Sequence, residues 1–249
     1  MSLHHAITIY PDARAVARAL AARVADALQA NPQLVLGLPT GRTPLLLYEE
    51  LIALSRSGAA DFSSATTFNL DEFVGIPASH PGSYRSFMNQ HLFDHVAIDP
   101  AKIHFLNGAA DDLAVETARY EGEIEAVGGM DLLILGIGTN GHIGFNEPAD
   151  GLAARTHRVT LKAETRRSNA LLFGGDSNAV PPDALSMGIG TILGARSVVL
   201  LATGERKAVC VERLVEGPIT TQLPASFLQL HLDVEIMLDE AAAARLRAK

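Results

Sequence analysis

The chain has 249 residues, of which 48% are hydrophobic and 19% charged, a balance that excludes a disordered polypeptide. One cysteine, Cys210, excludes an internal disulfide framework and a cysteine-built zinc site, and the net charge of −8 argues against a general nucleic-acid binder. No stretch approaches the ~18 uninterrupted apolar residues of a membrane helix, and the start, Met1-Ser2-Leu3-His4-His5, lacks the basic and apolar regions of a secretion signal, which together imply a cytoplasmic globular protein.

Apolar and helical segments alternate along the chain. Residues 11–30 carry helical spacing (Val16, Leu20, Val24, Leu28) and stop at Asn31-Pro32. Leu34 to Leu38 reads as a strand, and Thr43 to Ser55 as the helix after it. Thr66 to Leu70 is a second strand. Tyr84 to Phe93 is a helix with Ser83 as its cap. A short strand at Ile103 to Leu106 precedes a helix over 111–127 that Gly128-Gly129 ends. Leu132 to Ile137 and Ser197 to Ala202 are continuous apolar runs, the second followed by a helix over 204–215. Val234 to Leu238 is the last strand. Short, fully apolar strands between helices mark a parallel sheet covered on both faces. The expected fold is α/β, an open, mostly parallel Rossmann-like sheet, with residues 1–249 forming a single domain. In such sheets ligands bind beyond the carboxyl ends of the strands, so the informative residues should follow Leu38, Leu70, Ile137 and Ala202.

After Leu38 comes Pro39-Thr40-Gly41-Arg42-Thr43-Pro44. A Gly/Thr loop entering a helix offers free N–H groups, and Thr40, Thr43 and Arg42 add donors, which suits a phosphate. The spacing is not that of a Walker loop, and an ordinary strand-to-helix turn is the alternative. After Leu70, Asp71 and Glu72 are candidates for acid–base work. Neighbours point apart, so one of them faces a pocket. After Leu135, the glycines of Gly136-Ile137-Gly138-Thr139-Asn140-Gly141 have dinucleotide-fingerprint spacing, but they lie mid-chain with Pro148 close behind. The better reading is a loop that presents His142, a natural proton shuttle, and Glu147, its carboxylate partner. A metal held by His142, Glu147 and Asp71 is the rival, unsupported by any helical i, i+4 ligand pair. After Ala202, Gly204-Glu205-Arg206-Lys207 suits a second anion contact through Lys207, with a surface helix as the alternative. His4, His5, His91, His95, His104 and His231 read as surface or satisfied core groups. Cys210 reads as core.

These residues resemble the glucosamine-6-phosphate deaminase (isomerase) family over nearly the whole chain. The resemblance is carried by Leu36 to Pro44, Thr67 to Gly75, His80-Pro81-Gly82-Ser83-Tyr84 through Val96, Gly141 to Pro148, and Lys207-Ala208. The 6-phosphogluconolactonases share that fold and the first loop, but a Thr-Ala-Ser type sequence normally follows their histidine where this chain has Phe145-Asn146-Glu147-Pro148. The resemblance implies conversion of glucosamine 6-phosphate to fructose 6-phosphate and ammonia, without metal or organic cofactor. It implies Asp71 as the base that moves a proton between C2 and C1, His142 as the group that opens the sugar ring, and Glu147 as its partner. Thr40, Gly41, Thr43 and Lys207 are the implied phosphate contacts. A lactone hydrolase and a galactosamine-6-phosphate deaminase are the alternatives. Monomer or homo-oligomer is left open.

Three departures from the family stand out. Asn140 occupies a position often held by Asp and implies a changed pH profile. Leu171 falls where an active-site Arg lies in well-known members. Arg42 replaces a Gly of the first loop and is expected to supply the phosphate contact missing at Leu171. Some hexameric relatives are activated by N-acetylglucosamine 6-phosphate. Their effector-binding Ser, Arg and Lys positions fall on Asp150, Gly151, His157 and Val159 here, so no such activation is expected.

Overall fold

The computed structural model describes residues 6–247; His4 and His5 lie outside them. In chain order the elements are β1 (Ala6–Tyr10), α1 (Ala13–Ala30), β2 (Val35–Leu38), α2 (Leu45–Arg56), β3 (Thr66–Asn69), β4 (Asp71–Phe73), α3 (Tyr84–His91), β5 (Ile103–His104), α4 (Leu113–Ala126) and β6 (Leu132–Gly136). There follow β7 (His157–Thr160), α5 (Ala163–Asn169), β8 (Asp183–Ser186), α6 (Ile189–Leu193), β9 (Ser197–Ala202), α7 (Ala208–Glu216), β10 (Val234–Asp239) and α8 (Glu240–Ala243). Seven strands form one sheet in the order β1-β10-β9-β6-β2-β3-β5, with every pairing parallel. The expected α/β class and mostly parallel sheet are present.

The apolar runs explain that sheet. Along β6, Leu132 and Ile134 enter one core while Leu133 and Leu135 enter the other, and along β9 Val199 and Leu201 alternate in the same way with Val198 and Leu200. Side chains of a strand alternate between faces, so a run without polar residues requires cover on both sides. Helices α1, α2 and α3 supply one cover through Val16, Leu20, Leu47 and Phe87. Helices α4, α6 and α7 supply the other through Tyr120, Ile192, Cys210 and Leu214. Local signals start the helices. The Asp12 carboxylate accepts from Ala15 N at 2.8 Å at the start of α1, and the Ser83 hydroxyl accepts from Ser86 N at 3.0 Å at the start of α3.

Four strands lie outside the sequence expectation. β1 is the edge of the main sheet, paired with β10. β4, β8 and β7 form a second, antiparallel sheet. Its small core of Phe73, Tyr84, Phe145, Leu161, Val180 and Ala184 lies beside the carboxyl ends of the main strands. The helix expected over 204–215 begins as a 3-10 turn, Glu205–Lys207, before α7.

The strand order reverses between β2 and β6. From β2 the chain moves outward through β3 to β5, and from β6 it moves the other way through β9 to β10. Loops leaving adjacent strands at such a reversal diverge and leave a crevice at the carboxyl edge.

Candidate active site

That crevice is a cleft of about 1020 Å³, lined from β2 by Thr40, Gly41, Arg42 and Thr43, from the end of β3 by Asp71, and from the loop after β6 by Asn140 and His142. Lys207 lines it from the turn after β9. Strand-end residues that are remote from one another along the chain thus share one cavity. Glu147 is 6% exposed and sits behind His142.

The first loop is pinned from below. The Tyr48 hydroxyl donates to Pro39 O, and Asn69 Nδ2 donates to Leu38 O at 3.0 Å. Gly41 adopts φ +96°, a left-handed conformation that side-chain-bearing residues resist. No side chain caps the start of α2, and its N-cap residue Pro44 lines the cleft, so the positive end of the helix dipole lies at this end of it. Arg42 stands close enough to Lys207 to lower the lysine's pKa, after burial, which is the larger cause. The Lys207 ammonium donates to Ile137 O. Two cations that repel each other beside a helix N-terminus are a candidate site for an anion. On the far side of Lys207, both oxygens of Asp239 accept from Gly204 N at 3.0 Å, tying this loop to the end of β10.

Asp71 and Glu72 point apart, as neighbours in a strand must. Glu72 turns inward and accepts from Phe73 N, Tyr84 N and Arg85 N at 2.8–2.9 Å, fastening β4 to the start of α3. Asp71 faces the cleft with Thr40 Oγ1 at 3.4 Å. Burial, helped by the charge of Glu72 and opposed by the Thr40 hydroxyl, pushes the Asp71 carboxyl up to about 8. A carboxylate held this high is a far stronger base than one in water.

The loop after β6 leads into turns and no long helix, which removes the dinucleotide reading of its glycines. Gly138 has a packing reason: a Cβ there would stand 2.2 Å from the His142 ring. The structure adds a link the spacing does not contain. His142 Nδ1 lies 2.7 Å from Asn140 Oδ1, and Asn140 Nδ2 donates to Glu147 Oε2 at 2.7 Å, whereas Nδ1 is 3.8 Å from Glu147. Asn140 therefore stands between the histidine and the carboxylate expected as its direct partner. An amide that gives its N–H to a carboxylate turns its oxygen to the imidazole, which must then donate from Nδ1. The Nε2 lone pair is left as the acceptor. Burial lowers the His142 pKa, with Lys207 adding to the effect and Glu147 opposing it, so the ring is neutral near pH 7. Asn140→Asp, which sets a charge directly against Nδ1, is expected to raise the His142 titration by about one to three pH units, read by NMR. An unmoved midpoint would show that the pair is solvent-screened.

Helix α5 forms a wall of the cleft that no motif announces. Glu164, Thr165, Arg167, Ser168 and Asn169 line it, followed by Leu171 and Leu172. The Thr165 hydroxyl donates to Glu147 Oε1, and the Tyr84 hydroxyl donates to Asn169 Oδ1 at 2.9 Å. Leu171 is 74% exposed at the rim. Arg166 is engaged with the carbonyls of Val180 and Asn178, while Arg167, its neighbour, lines the cleft. Of the other candidates, Cys210 is buried, His231 is a satisfied core group bonded to Ala195 O, and His104 pairs with Glu123 at 2.9 Å.

Known proteins share this arrangement of the chain. A family model described as glucosamine-6-phosphate isomerases/6-phosphogluconolactonase matches residues 12–236. A glucosamine-6-phosphate deaminase of Shewanella loihica is 46% identical over 98% of this chain and 90% of its own length. Glucosamine-6-phosphate deaminase 2 of Bacillus subtilis is 47% identical over 92% of each chain. A solved structure of a monomeric glucosamine-6-phosphate deaminase superposes with TM-score 0.92 at 41% identity, over 96% of this chain and 99% of that one. The 6-phosphogluconolactonase of Trypanosoma cruzi shares the fold at TM-score 0.77 and 20% identity, over 100% and 99% of the two chains. A match across almost the full length, at close to half identity, makes this chain a member of the glucosamine-6-phosphate isomerase/6-phosphogluconolactonase family.

Proposed function

We propose that the protein is a glucosamine-6-phosphate deaminase, converting glucosamine 6-phosphate and water to fructose 6-phosphate and ammonium. The observation that carries this reading is the pairing, in one cleft, of a buried carboxylate held near 8 with a neutral histidine whose Nε2 is free. Relatives of near-full-length identity bear that name, while the lactonases share only the fold.

The chemistry needs two separate proton-transfer groups. His142 Nε2 accepts the proton of the anomeric hydroxyl and returns a proton to the ring oxygen, so the bond from C1 to the ring oxygen breaks and the C1 carbonyl forms. Asp71 then takes the proton from C2. The electron pair left behind forms the C1=C2 bond of an enolamine, while a proton passes from the 2-ammonium to O1. Asp71 delivers its proton to C1, the nitrogen pair forms a C2=N iminium, water adds at C2, and ammonium leaves. A substrate ammonium beside Asp71 favours the charged form that burial disfavours, so substrate arrival itself prepares the base. No step requires a metal or an organic cofactor. Asn140 and Glu147 hold His142, and Thr40, Gly41, Arg42, Thr43 and Lys207 hold the phosphate. Among the described residues no helix is long and apolar enough to cross a membrane; a cytoplasmic location fits a reaction on phosphorylated sugars.

The test is ammonium release from glucosamine 6-phosphate and galactosamine 6-phosphate, with lactone hydrolysis assayed in parallel. Release from the first is expected, and hydrolysis of 6-phosphogluconolactone without ammonium release would overturn the proposal.

Arg42 provides a second check. An Arg–phosphate contact is worth roughly 1.5–3 kcal/mol, so Arg42→Gly is expected to raise KM about 10- to 100-fold with a smaller effect on kcat. An unchanged KM would place Arg42 outside the phosphate site.

No activation by N-acetylglucosamine 6-phosphate is expected, because the two arginines nearest the corresponding segment are engaged. Arg155 pairs with Glu121 at 3.3 Å and with Glu125, and Arg158 pairs with Asp183 at 2.6 Å. Saturation should be hyperbolic with or without millimolar effector; a sigmoidal curve that the effector straightens would refute this.

A further inference from the structure

We infer that Thr165, on helix α5, is a positioning residue that sets the proton of His142 from a distance, through Glu147 and Asn140. The inference rests on the proposed role of His142 for its effect on turnover, but not for its structural content.

Thr165 is 3% exposed and Glu147 6% exposed, so neither side chain has ready access to water. The Glu147 carboxylate is satisfied at both ends. Oε1 accepts from the Thr165 hydroxyl, and Oε2 accepts from Asn140 Nδ2 at 2.7 Å. Asn140 Oδ1 in turn meets both the backbone N–H of His142 at 3.2 Å and its Nδ1 at 2.7 Å. Every bond in this chain has a direction. A carboxylate accepts, so the amide must present N–H to it and oxygen to the imidazole, and the imidazole must carry its proton on Nδ1.

The amide is the weak point of such a chain. Asn has nearly identical ends and can rotate, and a flipped Asn140 would offer N–H to Nδ1, moving the ring proton to Nε2 and removing the acceptor that ring opening needs. Two contacts oppose the flip: the backbone N–H of His142, 3.2 Å from Oδ1, and, closer at 2.7 Å, a carboxylate held in place with an oxygen facing Nδ2. Without the Thr165 hydroxyl, Oε1 is a buried acceptor lacking a donor, and the group gains by turning toward another. A direct His–carboxylate pair has no such ambiguity, because neither carboxylate oxygen can donate. The asparagine in this chain thus gives the threonine a task beyond packing.

Thr165→Val keeps the shape and removes the hydroxyl, while Thr165→Ser keeps the hydroxyl. With ¹⁵N-histidine-labelled free enzyme, and His142→Gln used to identify the signal, the parent should show Nδ1 protonated and Nε2 bare. The valine variant should show a substantial Nε2-protonated population, and the serine variant the parent pattern. In turnover, valine should lower kcat about 10- to 100-fold with KM within about threefold, and serine should recover kcat to within about threefold. A valine variant that retains the Nδ1-protonated signal overturns the inference, as does one with parental kcat. So does a loss of kcat with the ring proton unmoved, which would reveal a purely structural role. Should the valine variant fail to fold, Thr165→Ala carries the same readouts. Because the ring signal is measured without substrate, absence of deaminase activity would sink the proposed function and leave this inference to stand or fall on the NMR alone.

Discussion

Asp71→Asn is expected to lower kcat by two to four orders of magnitude while KM stays within about tenfold. The amide preserves the shape of the side chain and its reach to Thr40, and the proposed phosphate contacts are untouched. What is lost is the proposed acceptor for the C2 proton, and a positioned general base contributes typically ~10²–10⁴-fold. Activity near that of the parent would remove Asp71 from the mechanism. A loss expressed wholly in KM would make it a binding group.

The same substitution should stabilise the protein, increasingly so as the pH rises. Asp71 has an unfolded value of 3.8 and a folded value raised to about 8 by burial, with the neighbouring Glu72 adding to the effect. Between those values the unfolded chain gives up the proton and the folded chain keeps it. Stability therefore falls with rising pH through that window and reaches its full loss above 8. Each pH unit between the two values corresponds to about 1.4 kcal/mol, so the full loss is about 3–6 kcal/mol once the enclosed carboxylate admits some solvent. Asn has nothing to titrate. Thermal unfolding should show little difference between the variant and the parent near pH 4, and a Tm of the variant higher by roughly 6–15 °C near pH 9. Equal Tm values at both pH values would show that Asp71 is solvated. Taken together, the two results would locate an activity–stability conflict at one residue.

The central strands are legible in the sequence because they are buried on both faces. Leu132 to Leu135 and Val198 to Leu201 contain nothing but apolar residues, a pattern with few other solutions. β1 escapes such a reading because Ile7 and Ile9 alternate with Thr8 and Tyr10 on a half-covered edge. β7 escapes it because His157-Arg158-Val159-Thr160 is short and half-exposed, and only its pairing with β8 makes it a strand. That information is non-local.

The site divides in the same way. Asp71, His142, Arg42 and Lys207 are legible because topology sends strand ends to one edge. Spacing cannot show that Asn140 stands between His142 and Glu147, since both lie close to the histidine along the chain. Thr165, Arg167 and Asn169 belong to α5, whose sequence carries no motif, and Tyr84, although it lies in the His80 to Val96 segment that carries the family resemblance, has no signal of a place in the site. They enter the site because of where α5 and the small sheet pack, and Thr165 has no signal beyond a polar residue at a buried position.

The pairing of β1 with β10 has a consequence for how the protein comes into being. The two strands are tied by Thr8 and Glu235, 227 residues apart, and the same final strand supplies Asp239, which holds the Lys207 loop through Gly204. During synthesis the early helices and inner strands can assemble as they emerge. The segment carrying β1, however, has no strand partner until β10 has been translated, and closing so long a loop is slow. The Lys207 end of the cleft, the proposed phosphate site, is tied to that same late event. A nascent chain can therefore hold most of its sheet before the Lys207 loop is fixed, so on the proposed reading affinity for a phosphosugar arises late in folding.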